Sequence, residues 1–210
     1  MTNLEPAPAI RTLEEQRREF ALRRGVAMPL AGMVAWSIVG LAGVFLPPAP
    51  AVWVLFGATG SILLLGIFFS RFTGENLLDK QRPKNVFDSL FLHTVAMAVL
   101  VYAIAIPFFQ IDYTSLPLSV GILSGLMWLP LSWIIEHWVG TFHTFTRTAL
   151  VVAVWYVFPL ARFIAVPAVI VAVYAATIVV LEVRWRRIHS AEPLPMNCLR
   201  GDAGRATLRK

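Results

Sequence analysis

The chain has a single cysteine, Cys198, so no intrachain disulfide can staple it and cysteine usage says nothing about redox compartment. Charge is scarce as well. Lys, Arg, Asp and Glu together make up 14% of 210 residues, against 58% hydrophobic residues and a mean hydropathy of +0.70. A soluble globule of this size needs more surface charge than that, which points instead to an integral membrane protein. Catalytic signatures are missing: there is no phosphate loop, dinucleotide fingerprint, G-x-S-x-G or H-E-x-x-H. The net charge of +6 comes with no nucleic-acid recognition motif, and the basic residues flank hydrophobic stretches, where an anionic leaflet attracts them. The expected partner is the lipid bilayer, with no nucleic acid and no cofactor.

Seventeen of the eighteen Lys and Arg residues fall in four short polar segments. These are the N-terminus from Arg11 to Arg24, a loop from Arg71 to Lys84, the neighbourhood of Arg147, and the tail from Arg184 to Lys210. Basic loops stay cytoplasmic. Placing all four on one side of the plasma (inner) membrane gives an even number of crossings and two cytoplasmic termini.

A crossing helix needs about 20 apolar residues. Val26–Leu46, Val52–Phe69, Val86–Phe109 and Leu116–Trp138 meet this need, the first two joined by the turn Pro47-Pro48-Ala49-Pro50. Thr148–Leu181 is long for one crossing and has no acidic residue, while Pro159 and Pro167 bracket Arg162. An outer turn over residues 158–166 therefore splits it into spans five and six. A helix over Thr148–Ala161 would fall short of the bilayer, so span five must start earlier, drawing in Arg147 and even His143, or thin the membrane locally. The expected fold is all-α, with six transmembrane helices in one domain over residues 26–184. A cytoplasmic amphipathic lead-in covers residues 1–25 and a basic, disordered tail covers residues 185–210.

The lead-in carries Thr12-Leu13-Glu14-Glu15, which has capping-box spacing, and the helical pairs Glu14 with Arg18 and Glu19 with Arg23. Arg17-Arg18-Glu19-Phe20 imitates a twin-arginine signal, but no soluble passenger follows it. Ala49-Pro50-Ala51 imitates a cleavage site after an apolar run longer than a signal peptide uses, so an uncleaved span is expected.

Polar residues at membrane depth are costly and are candidate functional groups. Asp88, His93, Glu136, His137, His143 and Arg147 gather at the inner end of spans three to five. Gly121, Gly125, Trp128, Ser132 and Glu136 share one helix face, which directs Glu136 toward protein. Gly121 and Gly125 form a small-xxx-small pair, and such faces would also serve a homo-oligomer. With Gly140 as the cap of span four, Glu136 stands at the helix end that disfavours negative charge, and Arg147 near the start of the next helix is equally misplaced. The two are expected to face each other, as an ion pair tying spans four and five or as part of a substrate or ion site. The candidate set is Glu136, His137, His143, Arg147 and His93. Zinc could use such donors, but Glu136 and His137 point about 100° apart on a helix, so no metal is assigned. Asn85 and Asp88 read as the cap and third residue of span three, and His93 as a hydrogen-bonded packing residue.

Trp53, Trp138 and Trp185 fit interfacial positions, and Trp36, Trp128 and Trp155 fit packing. Asp112 and Arg162 are expected to form a salt bridge between the two outer loops. Three functions stay open. One is a transporter or channel component using the polar cluster as its site. Another is a non-catalytic scaffold or stress-response protein. The last is an intramembrane enzyme acting on a lipid-like substrate, for which Ser132 is the local hydroxyl.

Overall fold

The computed structural model describes residues 11–77, 79 and 81–190, and every regular element among them is helical. In chain order these are α1 (Leu13–Ala21), α2 (Ala27–Phe45), α3 (Pro48–Gly60), α4 (Ile62–Thr73), α5 (Val86–Leu100) and α6 (Tyr102–Ile111). A 3-10 turn, Tyr113–Ser115, leads into α7 (Leu116–Leu123), α8 (Trp128–Ile134), α9 (Val139–Val157) and α10 (Arg162–Ser190). Four stretches are long and apolar enough to cross a membrane: Ala27–Phe45, Val86–Ile111, Tyr113–Ile134 and Arg162–Ser190. Helices α3 and α4 meet at a 48° bend and make a fifth if they act as one span. The chain is a helical protein suited to a bilayer.

Local chemistry sets the helix ends. Thr12 and Glu15 form the expected capping box at the start of α1. Asn85 caps α5 by accepting from the Phe87 amide, with Asp88 in the first turn. The start of α2 has no cap of its own; instead the carboxylate of Glu75, from the loop after α4, accepts from the amides of Val26 and Ala27 at 2.8 and 2.9 Å. A negative charge at a helix N-terminus is the favourable arrangement, and here it comes from a distant part of the chain.

The core is the packing of α2 on α10, with α4 and α9 on their flanks. Close approach depends on glycine. A Cβ at Gly43 would stand 2.4 Å from the carbonyl oxygen of Phe163, and one at Gly32 would stand 2.5 Å from the Tyr174 ring tip. Phe163 lies four residues before Pro167, which lacks the N–H that would bond that carbonyl. Pro167 therefore sits inside α10, where it was expected to bound a turn. The connection between α9 and α10 is shorter than expected, and Arg162 begins α10.

Helix α9 starts at Val139, earlier than Thr148, and takes in both His143 and Arg147. Helix α10 continues to Ser190, which makes residues 185–190 helical where a disordered tail was expected. The rest of that tail, Cys198 and Lys80 lie outside the described residues. Arg162 and Asp112 pair at 3.7 Å as the loop argument required. Thr114 joins them, accepting from Arg162 and donating its hydroxyl to Asp112 at 2.8 Å.

The two kinds of glycine should respond oppositely to alanine. Gly43→Ala meets backbone and must push α2 from α10, which should lower the melting temperature of the purified chain in detergent. Gly57 faces open space within α3, so Gly57→Ala should raise stability by about 0.5–1 kcal/mol. A neutral Gly43→Ala would overturn this account of the α2–α10 contact.

Candidate functional site

The structure divides the expected polar cluster in two. Glu136 does not face Arg147. Its φ of 50° lies in the left-handed region, so the helix face that carries Gly121, Gly125, Trp128 and Ser132 inward ends before Glu136 is reached. Its side chain is 65% exposed and pairs with Arg17 of α1 at 2.8 Å. Arg17 also lies over the Trp133 ring and donates to the carbonyls of Trp133 and Ile134, so one cation caps the end of α8 and neutralises the acid beyond it. Gly140 is not the cap of span four: it opens α9, where a Cβ would stand 2.2 Å from the Trp128 carbonyl oxygen.

Glu136 thus belongs to a set of ties that hold α1 across one end of the bundle. Arg23 chelates Asp88, and Arg24 binds Glu182 of α10 at 2.7 Å. Asn85 donates to the Gln16 carbonyl at 2.7 Å. His137 stacks on Trp138 and accepts from the Val139 amide at 3.3 Å; burial, then the nearby Arg184, hold its pKa below the ordinary imidazole value. Ser132 donates to the His137 carbonyl and stands 3.1 Å from Thr141, which makes it a brace of the α8–α9 turn. His93 is exposed and its Nδ1 meets the Ser89 carbonyl of its own helix at 2.7 Å, apart from the other candidates. Among the described residues no group of three or more His, Cys, Asp and Glu is arranged to hold a metal.

Arg147 is the opposite case. It was grouped with the cytoplasmic basic residues, but it lies in the middle of α9 and is 0% exposed. None of the ion pairs among the described residues includes it. Its Nε donates to the Gly121 carbonyl at 2.6 Å and its Nη2 to the Ser124 hydroxyl at 2.9 Å. Its Nη1 reaches the Tyr174 hydroxyl at 3.2 Å and His143 Nε2 at 3.4 Å. The rings of Trp36 and Tyr174 flank the guanidinium, 5.6 and 5.3 Å away.

This arrangement exists because α7 and α8 are separate helices. Between Leu123 and Trp128 the amides of Gly125 and Leu126 bond three residues back rather than four. That frees the Gly121 carbonyl, which takes Arg147, and the Thr144 hydroxyl donates to the Gly125 carbonyl at 3.1 Å. Irregular backbone at membrane depth is tolerated where protein groups satisfy it. Gly125 leaves the needed room, since a Cβ there would stand 3.0 Å from Arg147 Cδ. The small-residue pair read from the sequence is therefore the seat of Arg147.

His143 is equally buried. The Thr177 hydroxyl donates to the Val173 carbonyl at 2.8 Å, so it accepts from His143 Nδ1 at 2.8 Å. Nδ1 then carries the proton and Nε2 accepts from Arg147. Trp128 stacks on the imidazole, 4.3 Å between centroids, and its indole also lines a cavity of about 80 Å³. That cavity is also lined by Arg23, Arg24, Phe20 and Arg184, and Trp128 is the lining residue that touches His143. A second, wider cleft of about 660 Å³ lies between α4 and α5, walled by Leu63, Ile67 and Leu92.

Trp36 and Trp128 are buried as packing residues, and Trp53 and Trp138 are exposed. Trp155 differs: its indole donates to the Thr114 carbonyl at 3.3 Å and its ring carries Arg162 3.7 Å above it. The roles of Trp36 and Tyr174 beside Arg147 had no sequence signal, because they come from α2 and α10.

Residues 13–184 match the family described as "Family of unknown function (DUF7010)", and the chain belongs to that family. No curated protein and no solved structure matches it.

A double-mutant cycle separates the two arginines. Glu136→Gln and Arg147→Gln should have additive effects on the detergent melting temperature, whereas Glu136→Gln and Arg17→Gln should couple by up to about 1 kcal/mol, as exposed pairs do. Arg147→Gln alone should cost about 3 kcal/mol or more, since it leaves buried acceptors without donors. Coupling of Glu136 to Arg147 would contradict the observed pairing.

Proposed function

We propose that this DUF7010 family member is a small transporter or channel component of the plasma (inner) membrane, with six crossings and both termini cytoplasmic. The sixth crossing is α9, whose polar residues lower its hydropathy but whose 19 residues span about 28 Å. The contact of Arg24 with Glu182 brings the start of α2 and the end of α10 together, which supports an even count. Arg17, Arg23, Arg24 and Arg184 gather at that same end, which supports its being cytoplasmic.

The observation that carries the transport reading is the buried, unpaired charge of Arg147 beside a broken helix. Discontinuous helices at membrane depth are where transporters commonly build substrate sites, and ionisable groups there are expensive enough to imply a use. The cytoplasmic-end cavity, closed off by Trp128, supplies an approach route. The working parts in this reading are Arg147 as the binding charge, His143 as its hydrogen-bond acceptor and Trp128 as the gate. Glu136 belongs to the clasp around α1 and His137 to the α8–α9 turn, and His93 has no part.

A scaffold is the second reading, favoured by the fact that Arg147 also satisfies the carbonyl freed by the helix break. The intramembrane enzyme reading loses its hydroxyl, because Ser132 is committed to the turn.

Flux in proteoliposomes decides between transport and scaffold. A panel of small radiolabelled anions and cations should reveal uptake by the reconstituted chain. Trp128→Ala, which opens the route, should speed it, and Arg147→Lys, which keeps charge but loses the fork, should slow it at least about tenfold. A folded, reconstituted chain that passes no ion of the panel in either form would sink the transport reading.

A further inference from the structure

We infer that the centre of the bundle is a binding site for one small monovalent inorganic anion, formed by Arg147, Trp36 and Tyr174. The inference rests on the transport reading for its purpose but stands on its own chemistry.

The hydrogen-bond inventory around Arg147 does not balance. A guanidinium has five N–H groups. Four are used, on Gly121, Ser124, Tyr174 and His143, which leaves one on Nη2. The Tyr174 hydroxyl accepts from Arg147, and its own proton meets no acceptor among the described residues. Trp36 is 0% exposed and its indole N–H has no partner there either. The neighbouring hydroxyls cannot help. Ser124 already accepts from Arg147 and Thr177 from His143, while His143 Nε2 is taken by Arg147. Three donors remain around one buried cation, with no acceptor bonded to them among the described residues.

A water molecule would accept at most two of these bonds while bringing two donors of its own, so the surplus would stand and the charge would go uncancelled. A metal cation would be repelled by the guanidinium. An anion only accepts, so it lowers the surplus without adding donors, and it cancels the charge as well. The carbonyl end of α7 offsets about half a unit of the arginine's charge, which fits a monovalent partner better than a divalent one. Size is limited by burial: Trp36 and Arg147 are 0% exposed, and neither of the two cavities described above reaches them. The occupant is of halide or nitrate dimensions, and an organic acid is too large.

The test uses the full chain purified in detergent, with melting temperature followed against sodium chloride and sodium nitrate, gluconate holding ionic strength constant. A bound anion raises the melting temperature saturably. Sulfate should give at most the linear rise of an excluded salt. Trp36→Phe and Tyr174→Phe each remove a donor while keeping the ring, and each should weaken the apparent affinity at least about tenfold, the value of a hydrogen bond to a charged group. Either variant suffices if the other fails to fold. Stabilisation that never saturates, or that is unchanged in both variants, overturns the site. Anion binding without flux removes the transport reading and leaves the site intact. Flux without saturable anion stabilisation does the reverse.

Discussion

Arg147 and the break between α7 and α8 depend on each other, and much of the bundle is arranged around that dependence. Without the cation, the Gly121 carbonyl would be orphaned in an apolar core. Without the break, the guanidinium would have lost its nearest acceptor. Each half is costly alone, at roughly 1–3 kcal/mol for an unsatisfied buried group and more for a charge. Their combination explains the glycines too: Gly125 admits the arginine stem and Gly32 admits the Tyr174 hydroxyl that meets its other end.

A second set of interactions works at the end of the bundle and has a different character. Arg17, Arg23 and Arg24 clasp Glu136, Asp88 and Glu182, joining α1 and its linker to α5, α10 and the α8–α9 turn. These groups are partly exposed, so each contact is weak and screened by salt. Their number, and not any one of them, positions α1 over the cavity. The core polar site and the end clasp can therefore respond to different stimuli, ionic strength acting on the clasp and ligand on the core.

The apolar helices were legible because crossing a bilayer demands long apolar runs, and the bounds of α2 and the starts of α5 and α7 fall close to the sequence reading. Length alone left an earlier start of α9 or a locally thinned membrane, and the helix begins early. What composition could not convey was depth. Arg147 counts as one more basic residue in a charge tally, and its burial follows from which helices enclose it. Glu136 was misread for a local reason: helical periodicity was carried two residues past the end of α8, into a left-handed residue. Pro167 misled in the same way, since a proline near the start of a helix can stay within it when a glycine on the neighbour makes room.

Donor surplus is a stronger guide to function here than polarity as such. Glu136, His137 and Ser132 are polar and each has a protein partner, and those contacts account for them without any ligand. Trp36 and Tyr174 look like packing residues in the sequence, yet their N–H and O–H groups are left over when every other bond has been assigned. A membrane interior supplies no water to absorb such a remainder, so the remainder describes the chemistry of what fits there. Around Arg147 that remainder is three donors and a positive charge, and its complement is an anion.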